Sequence, residues 1–230
     1  QDQLAHTTGI PSGVRRIGND ETVLGLISPN GQDVNARIAI LDTGIDAAHP
    51  DLKVDPNGKR FFWSKNKLTS NNNFAHGHGH GTHVAGTAAA NGTIIGVAPG
   101  ALVTAIKVLE DSGSGSYSQI IAGVDWVTAN AALFDAANMS LGGGFSQAMN
   151  DAVRRATEAG VVVCVCVGNA GADAANQSPA SEPAVITVSA MIDFDGTPSG
   201  TSWLGELFAH FSNFGSGVDI CAPGYAIQST

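Results

Sequence analysis

The chain has 230 residues, of which 43% are hydrophobic, only 13% are charged and 29 are glycine. This suits one domain with a sizeable core and excludes a disordered chain, a coiled coil and a helix bundle, which need more charge and less glycine. Eleven basic against 20 acidic residues give a formal charge of −9, a poor surface for nucleic acid.

The first residues, Gln1-Asp2-Gln3-Leu4, carry no basic-then-apolar signal and read as a mature start. Residues 36–42, 101–109, 134–139 and 161–167 are near-continuous apolar runs, which reads as buried strands of a sheet covered on both faces. The longest of them, Val161–Val167, is far shorter than the roughly 20 residues of a membrane-spanning helix, so no membrane partner is expected. Between the strands, Ile120, Ile121, Val124, Val127 and Thr128 recur at helical spacing within 117–131. Met149, Val153 and Ala156 do the same within 147–159, where Gly160 is placed as a C-terminal stop. Further strands are expected at 184–190 and 217–221. The alternation predicts an α/β three-layer sandwich with a mostly parallel, doubly covered central sheet, and its chemistry at the carboxyl ends of the strands. The three cysteines are too few for a disulfide framework. Cys164 and Cys166 share one strand face and should not bond each other. Buried structural thiols are the plain reading for all three, with a disulfide through Cys221 left open.

Three positions could carry chemistry. Asp42 closes the strand Ile38–Leu41 and reads either as a carboxylate placed for catalysis or as a turn or cap aspartate. Residues 76–86 hold four histidines, His76, His78, His80 and His83. They could supply a base near neutral pH; on an extended strand, His76, His78 and His80 could instead bind zinc or copper. The intervening glycines favour a loop, with His80 near a helix start. Gly168-Asn169 follows the strand ending at Val167, where a side-chain amide could donate to a developing oxyanion or merely end a turn.

In this order and spacing the segments resemble one family over nearly the whole chain: the subtilisin-like serine proteases, and within them the proteinase K-like branch. Ile40-Leu41-Asp42-Thr43-Gly44-Ile45-Asp46, with His49-Pro50-Asp51-Leu52 behind it, is similar to the aspartate motif. His80-Gly81-Thr82-His83-Val84-Ala85-Gly86 is similar to the histidine motif, and Asn138-Met139-Ser140-Leu141-Gly142-Gly143 to the substrate-binding strand. Val167-Gly168-Asn169, Ser178–Pro183, Phe211–Gly215 and Ala222-Pro223-Gly224 complete the set.

The resemblance implies that Asp42 orients the imidazole of His80, which serves as general base and then general acid. It implies that Asn169 donates to the oxyanion. Gly113-Ser114-Gly115 and Ser140-Leu141-Gly142 would sandwich a peptide substrate, with Tyr117 lining an apolar pocket. Main-chain pairing of that kind gives broad specificity. Ala170 would leave the primary pocket undemanding. His76 and His78 fall outside the motif and read as exposed loop residues; His83 falls inside it but is not the base. The carbonyls of Pro183 and Val185 with the carboxylate of Asp219 would hold a structural calcium ion. Residues 91–95 are too short for a second calcium loop. A secreted enzyme acting on peptides and proteins follows, with a propeptide or a protein inhibitor as further partners.

The family's nucleophilic serine lies in a Gly-Thr-Ser-Met-Ala motif followed by Pro-His. The sequence reaches Thr230 without it. Gly200-Thr201-Ser202-Trp203 lacks the Met-Ala and the Pro-His, and it precedes segments that the true motif follows, so Ser202 reads as part of a surface loop. Residues 1–230 are therefore expected to form a single peptidase domain that is incomplete, with the serine on a companion C-terminal segment. The alternative is a non-catalytic, subtilase-like peptide-binding protein. Without the helix that carries the serine, the sheet should lack cover and the piece should be unstable alone.

Overall fold

The strand Arg37–Asp42 (β1) is the middle of the molecule because its residues from Ala39 onward are all buried. The computed structural model describes residues 9–17, 33–193 and 206–230; Ser202 lies outside them. A short helix, Ser12–Arg16 (α1), precedes β1. After β1 come Lys53–Val54 (β2), Lys59–Ser64 (β3), Lys67–Asn71 (β4), the helix His80–Ala89 (α2) and Leu102–Lys107 (β5). Then follow Tyr117–Ala129 (α3), Ala136–Met139 (β6), Gly143–Gly144 (β7), Gln147–Glu158 (α4), Val162–Cys166 (β8) and Gln177–Ser178 (β9). Ile186–Asp193 (β10), Glu206–Phe208 (β11) and Ile220–Pro223 (β12) complete the described elements.

The main sheet runs β11-β10-β8-β6-β1-β5-β3-β4, with β12 paired to β10 and β2 to β5. The pairs at its centre, β1–β5, β1–β6, β6–β8 and β8–β10, are all parallel. The six expected strands and three expected helices are present, and the predicted α/β architecture with it. Among the described residues, antiparallel pairing in the main sheet is confined to the hairpin β3–β4 and to β10–β11, while β7 and β9 form a separate antiparallel pair.

Helices lie on both faces. On one, α3 and α4 bury Leu41, Ile106, Val124, Met139, Val153, Val163 and Val165 in a common cluster, each such side chain contributing about 1.5–3 kcal/mol. The helix α3 begins in a capping box: Gln119 N–H donates to Ser116 Oγ while Ser116 N–H donates back to Gln119 Oε1, stabilising the start by about 1 kcal/mol. Past α4, Gly160 takes φ 99° and ends the helix as its position predicts. On the other face, α2 packs Ala85 and Ala89 against Ile40, Val103 and Ala105.

The cover over that second face is incomplete. Alternation along β8 points Val163 and Val165 into the closed core and leaves Cys164 and Cys166 half-buried on the α2 side. The register aligns Asn138, Cys164 and Ile186 in one row and Cys166, Val188 and Ile220 in the next. Ile186 is 40% exposed and Ile220 56%. An apolar sheet face four strands wide thus lies open beside α2. All three cysteines are free thiols, but they depart from the expected burial: Cys164 and Cys166 are half-buried and Cys221 is exposed.

Candidate active site

The turn that follows β1 and the first turn of α2 meet above the carboxyl end of the sheet. Asp42, the last residue of β1, is fully buried. His80 is the first residue of α2, and its Nδ1 lies 2.8 Å from Asp42 Oδ1 and 2.9 Å from Oδ2. The carboxylate raises the proton affinity of the imidazole, outweighing the opposing effect of partial burial. With Nδ1 held on the carboxylate, the opposite ring nitrogen is the one available for proton exchange.

Thr43 joins the two residues. Its N–H donates to Asp42 Oδ1 at 2.7 Å, and its hydroxyl accepts the N–H of Gly81, the residue after His80, at 3.0 Å. These bonds tie the strand end to the helix start, so the pair does not depend on side-chain contact alone.

A cleft of about 550 Å³ leads away from this pair. Gly113, Ser114, Gly115 and Tyr117 line it on one side, and Ser140, Leu141 and Gly142 on the other, with Thr43 and His80 at its end. All seven residues singled out as substrate-binding therefore share one cleft. Residues 140–142 carry no strand pairing, which leaves the backbone of that wall open to pairing with a peptide. The opposite wall is a turn, in which Glu110 N–H donates to Ser114 carbonyl at 2.8 Å and Gly113 N–H to Glu110 carbonyl at 2.9 Å. Tyr117 hydroxyl donates to the carbonyl of Gly144, and burial pushes its acidity below that of an ordinary tyrosine.

Asn169 is exposed and lines a second depression of about 500 Å³, which it shares with His80 and Ser140. The loop bearing it is held by a residue whose role the sequence reading did not identify. Asn213 is fully buried. Its Oδ1 accepts the N–H groups of Ala170 and Ala172 at 2.9 and 3.0 Å, and its Nδ2 donates to the carbonyl of Val167 at 2.9 Å. Asn213 thus brackets Asn169 from below. The only earlier signal was its membership of the Phe211–Gly215 segment.

His76 and His78 are exposed, as expected. His78 nevertheless borders the cleft, and its ring meets that of His80 edge-on at 6.2 Å. His80 is engaged by Asp42, and among the described residues no group of three or more His, Cys, Asp or Glu side chains could hold a metal ion. The zinc or copper reading of His76, His78 and His80 finds no support there.

Pro183, Val185 and Asp219, the residues expected to hold calcium, form a different neighbourhood. Asp219 is exposed; its Oδ2 accepts Thr187 N–H at 2.8 Å, and its own N–H donates to Thr187 carbonyl at 3.0 Å. That double link holds the carboxylate beside the segment carrying Pro183 and Val185. The donor set is entirely oxygen, which fits a hard cation.

A buried acid holding an imidazole beside a cleft is a pair able to take up and return a proton there. Residues 33–230 match the subtilase family, and the chain belongs to it. Subtilisin-like protease 3 of Trichophyton equinum is 47% identical over 194 residues, covering 82% of this chain and 44% of that protein. Subtilisin-like serine protease Pen ch 13 of Penicillium rubens is 45% identical over the same coverage. The crystal structure of a cold adapted subtilisin-like serine proteinase matches 96% of this chain and 75% of its own, with a TM-score of 0.73 at 33% identity. The chain spans under half the length of the first two relatives.

Proposed function

We propose that this chain is the larger part of a secreted serine endopeptidase of broad specificity. Asp42 and His80 supply two members of a catalytic triad, and the serine lies on a companion C-terminal segment. The bond between His80 Nδ1 and Asp42 carries the reading, because His80 lines a cleft walled by Gly113–Gly115 and by the unpaired strand-like backbone of Ser140–Gly142. In the proposed reaction, His80 takes the serine proton as the hydroxyl attacks the scissile carbonyl, then returns it to the leaving amine. Asp42 keeps the imidazole in one tautomer and stabilises its cation. Asn169 donates its amide to the tetrahedral oxyanion.

The open sheet face supports a companion segment. Val188, Ala190 and Ala222 line the depression that also holds His80 and Asn169. A helix seated there would cover the apolar rows and bring its first residues to the imidazole. Pro183, Val185 and Asp219 would hold a calcium ion that stabilises the loop ahead of β10 without entering the chemistry. A propeptide or a protein inhibitor would occupy the same cleft as substrate.

Fluorophosphonate labelling of the complete protein, followed by denaturing mass spectrometry, tests the assignment. Label on a serine of the companion segment, with loss of peptide hydrolysis, is the expected result. Label on Ser202, or peptide binding without hydrolysis or labelling, would overturn it.

A further inference from the structure

A lysine withdrawn from water is rare, because desolvating an ammonium costs several kcal/mol unless its charge is matched. Lys107 is such a residue, with 2% of its side chain exposed. It ends β5 directly opposite Asp42 in the parallel register, so the two side chains leave the same face of the sheet. Its ammonium donates to the carbonyl of Thr43 and, at 2.7 Å, to Asp111 Oδ1. Thr43 already gives its N–H to Asp42, and its hydroxyl accepts the N–H of Gly81. Lys107 therefore fastens the remaining polar atom of the residue that joins Asp42 to His80.

Asp111 extends the contact outward. It precedes Ser112–Gly115, which wall the cleft. The loop between His76 and His78 lies hard against it: a Cβ on Gly77 would fall 2.2 Å from Asp111 Cγ. One ion pair thus touches Thr43, which joins the acid–base pair, the loop leading to His80 and the residue that opens the cleft wall.

We propose that Lys107 and Asp111 are positioning residues of the hydrolytic reaction: Lys107 fixes Thr43, and the balance of the two charges sets how readily His80 takes a proton. The proposal rests on the reading of His80 as general base. A cation beside the pair disfavours imidazolium, and the anion at Asp111 offsets it. The other titratable groups near His80 are Asp42 on β1, His83 on α2, Cys166 on β8, and His76, His78 and Asp46 in the adjoining loops. All are retained when positions 107 and 111 are changed, and of them His76 also interacts with Asp111.

The two single substitutions should therefore act with opposite sign. In Lys107→Met the lost cation should move the His80 titration to higher pH. In Asp111→Asn the unopposed cation should move it to lower pH. The readouts are the NMR titration of the His80 ring in the complete protein and the acidic limb of kcat/KM. Released Thr43 should also lower kcat of Lys107→Met by roughly 10- to 100-fold, with KM within about twofold. Asp111 is largely exposed, so Asp111→Asn reports even where Lys107→Met fails to fold. Opposite displacements support the proposal. An unmoved His80 titration in Asp111→Asn, or displacement of both variants in one direction, overturns it. Opposite NMR displacements in a protein that hydrolyses nothing would refute the protease reading and leave the coupling standing.

Discussion

Asn213 and Gly168 occupy space that allows no side chain between them. The N–H of Asn213 donates to Gly168 carbonyl at 2.9 Å, and a Cβ on Gly168 would lie 2.6 Å from Asn213 Nδ2. Gly168 also sits at φ 98°, where an L side chain is strained by on the order of 1–3 kcal/mol. Its neighbour Asn169 is the proposed oxyanion donor. Gly168→Ala should therefore lower stability by about 1–3 kcal/mol in urea unfolding and also displace Asn169. Loss of one such donor costs about 10²–10³ in kcat. Unchanged turnover in Gly168→Ala would mean that Asn169 does not act on the oxyanion.

Removal of the bracket itself should be harsher. In Asn213→Ala the N–H groups of Ala170 and Ala172 and the carbonyl of Val167 lose their partner. A buried polar group left unpaired costs about 1–3 kcal/mol. That applies to the Val167 carbonyl, while Ala172 is half-buried and Ala170 exposed, so a total on the order of 3 kcal/mol is the upper expectation. Chemical unfolding measures it. A loss below about 1 kcal/mol would show that water or loop movement replaces Asn213.

The Asp42–His80 bond sets a pH dependence. Asp42 raises His80 above the 6.5 of an ordinary histidine. The bond's contribution to stability is therefore fully present below the unfolded pKa and fades as pH rises through the folded one. Activity runs the other way, because only neutral His80 can accept the serine proton. kcat/KM of the complete enzyme should climb through that raised pKa. Asp42→Asn should shift the climb to lower pH and cut kcat by about 10⁴. A limb that stays put in Asp42→Asn would break the assignment.

The open face is a test of the companion segment. Burial raises the thiol pKa of both Cys164 and Cys166, whereas Cys221 is exposed. In the complete protein a seated helix should cover Cys164, so iodoacetamide should label Cys221 at least about tenfold faster than Cys164. Comparable rates at the two thiols, read by peptide mass spectrometry, would place the companion segment elsewhere.

The parallel centre is legible in the sequence because β1, β5, β6 and β8 come from apolar runs bounded by turns. Missing cover over the sheet is implied by the resemblance, but which residues line the open face is not legible, since cysteine counts as apolar and the run Val161–Val167 hides its own alternation. The β3–β4 hairpin also escapes notice. It turns at Lys65-Asn66, both at positive φ (49° and 60°), without the Asn-Gly or Asp-Gly pair that usually marks such a turn. Asp42, His80 and Asn169 stand out because each follows or opens a regular element within a compact motif. Lys107 and Asn213 do not, because their partners lie far along the chain: Thr43 for the one, Val167–Ala172 for the other. A lysine at the end of an apolar strand looks like a strand end, and only the packed sheet shows where its charge goes.

Calcium provides the remaining prediction. Asp219 is tied to Thr187 by two hydrogen bonds, so its carboxylate is fixed before any ion arrives and little ordering is lost on binding. An ion held by the native state alone stabilises it by about 2.7 kcal/mol when present at 100 times its Kd. For a domain of this size that corresponds to a fall in Tm of about 5–10 °C on chelation. The rate at 25 °C should change less, since the neighbourhood of Asp219 shares no residue with the cleft. Calorimetry of the complete protein with and without EGTA gives the first number, and the same pair of scans on Asp219→Asn should show no chelator effect. A wild-type Tm indifferent to EGTA would remove the site at Pro183, Val185 and Asp219. A chelator effect that survives in Asp219→Asn would move the ion to other ligands.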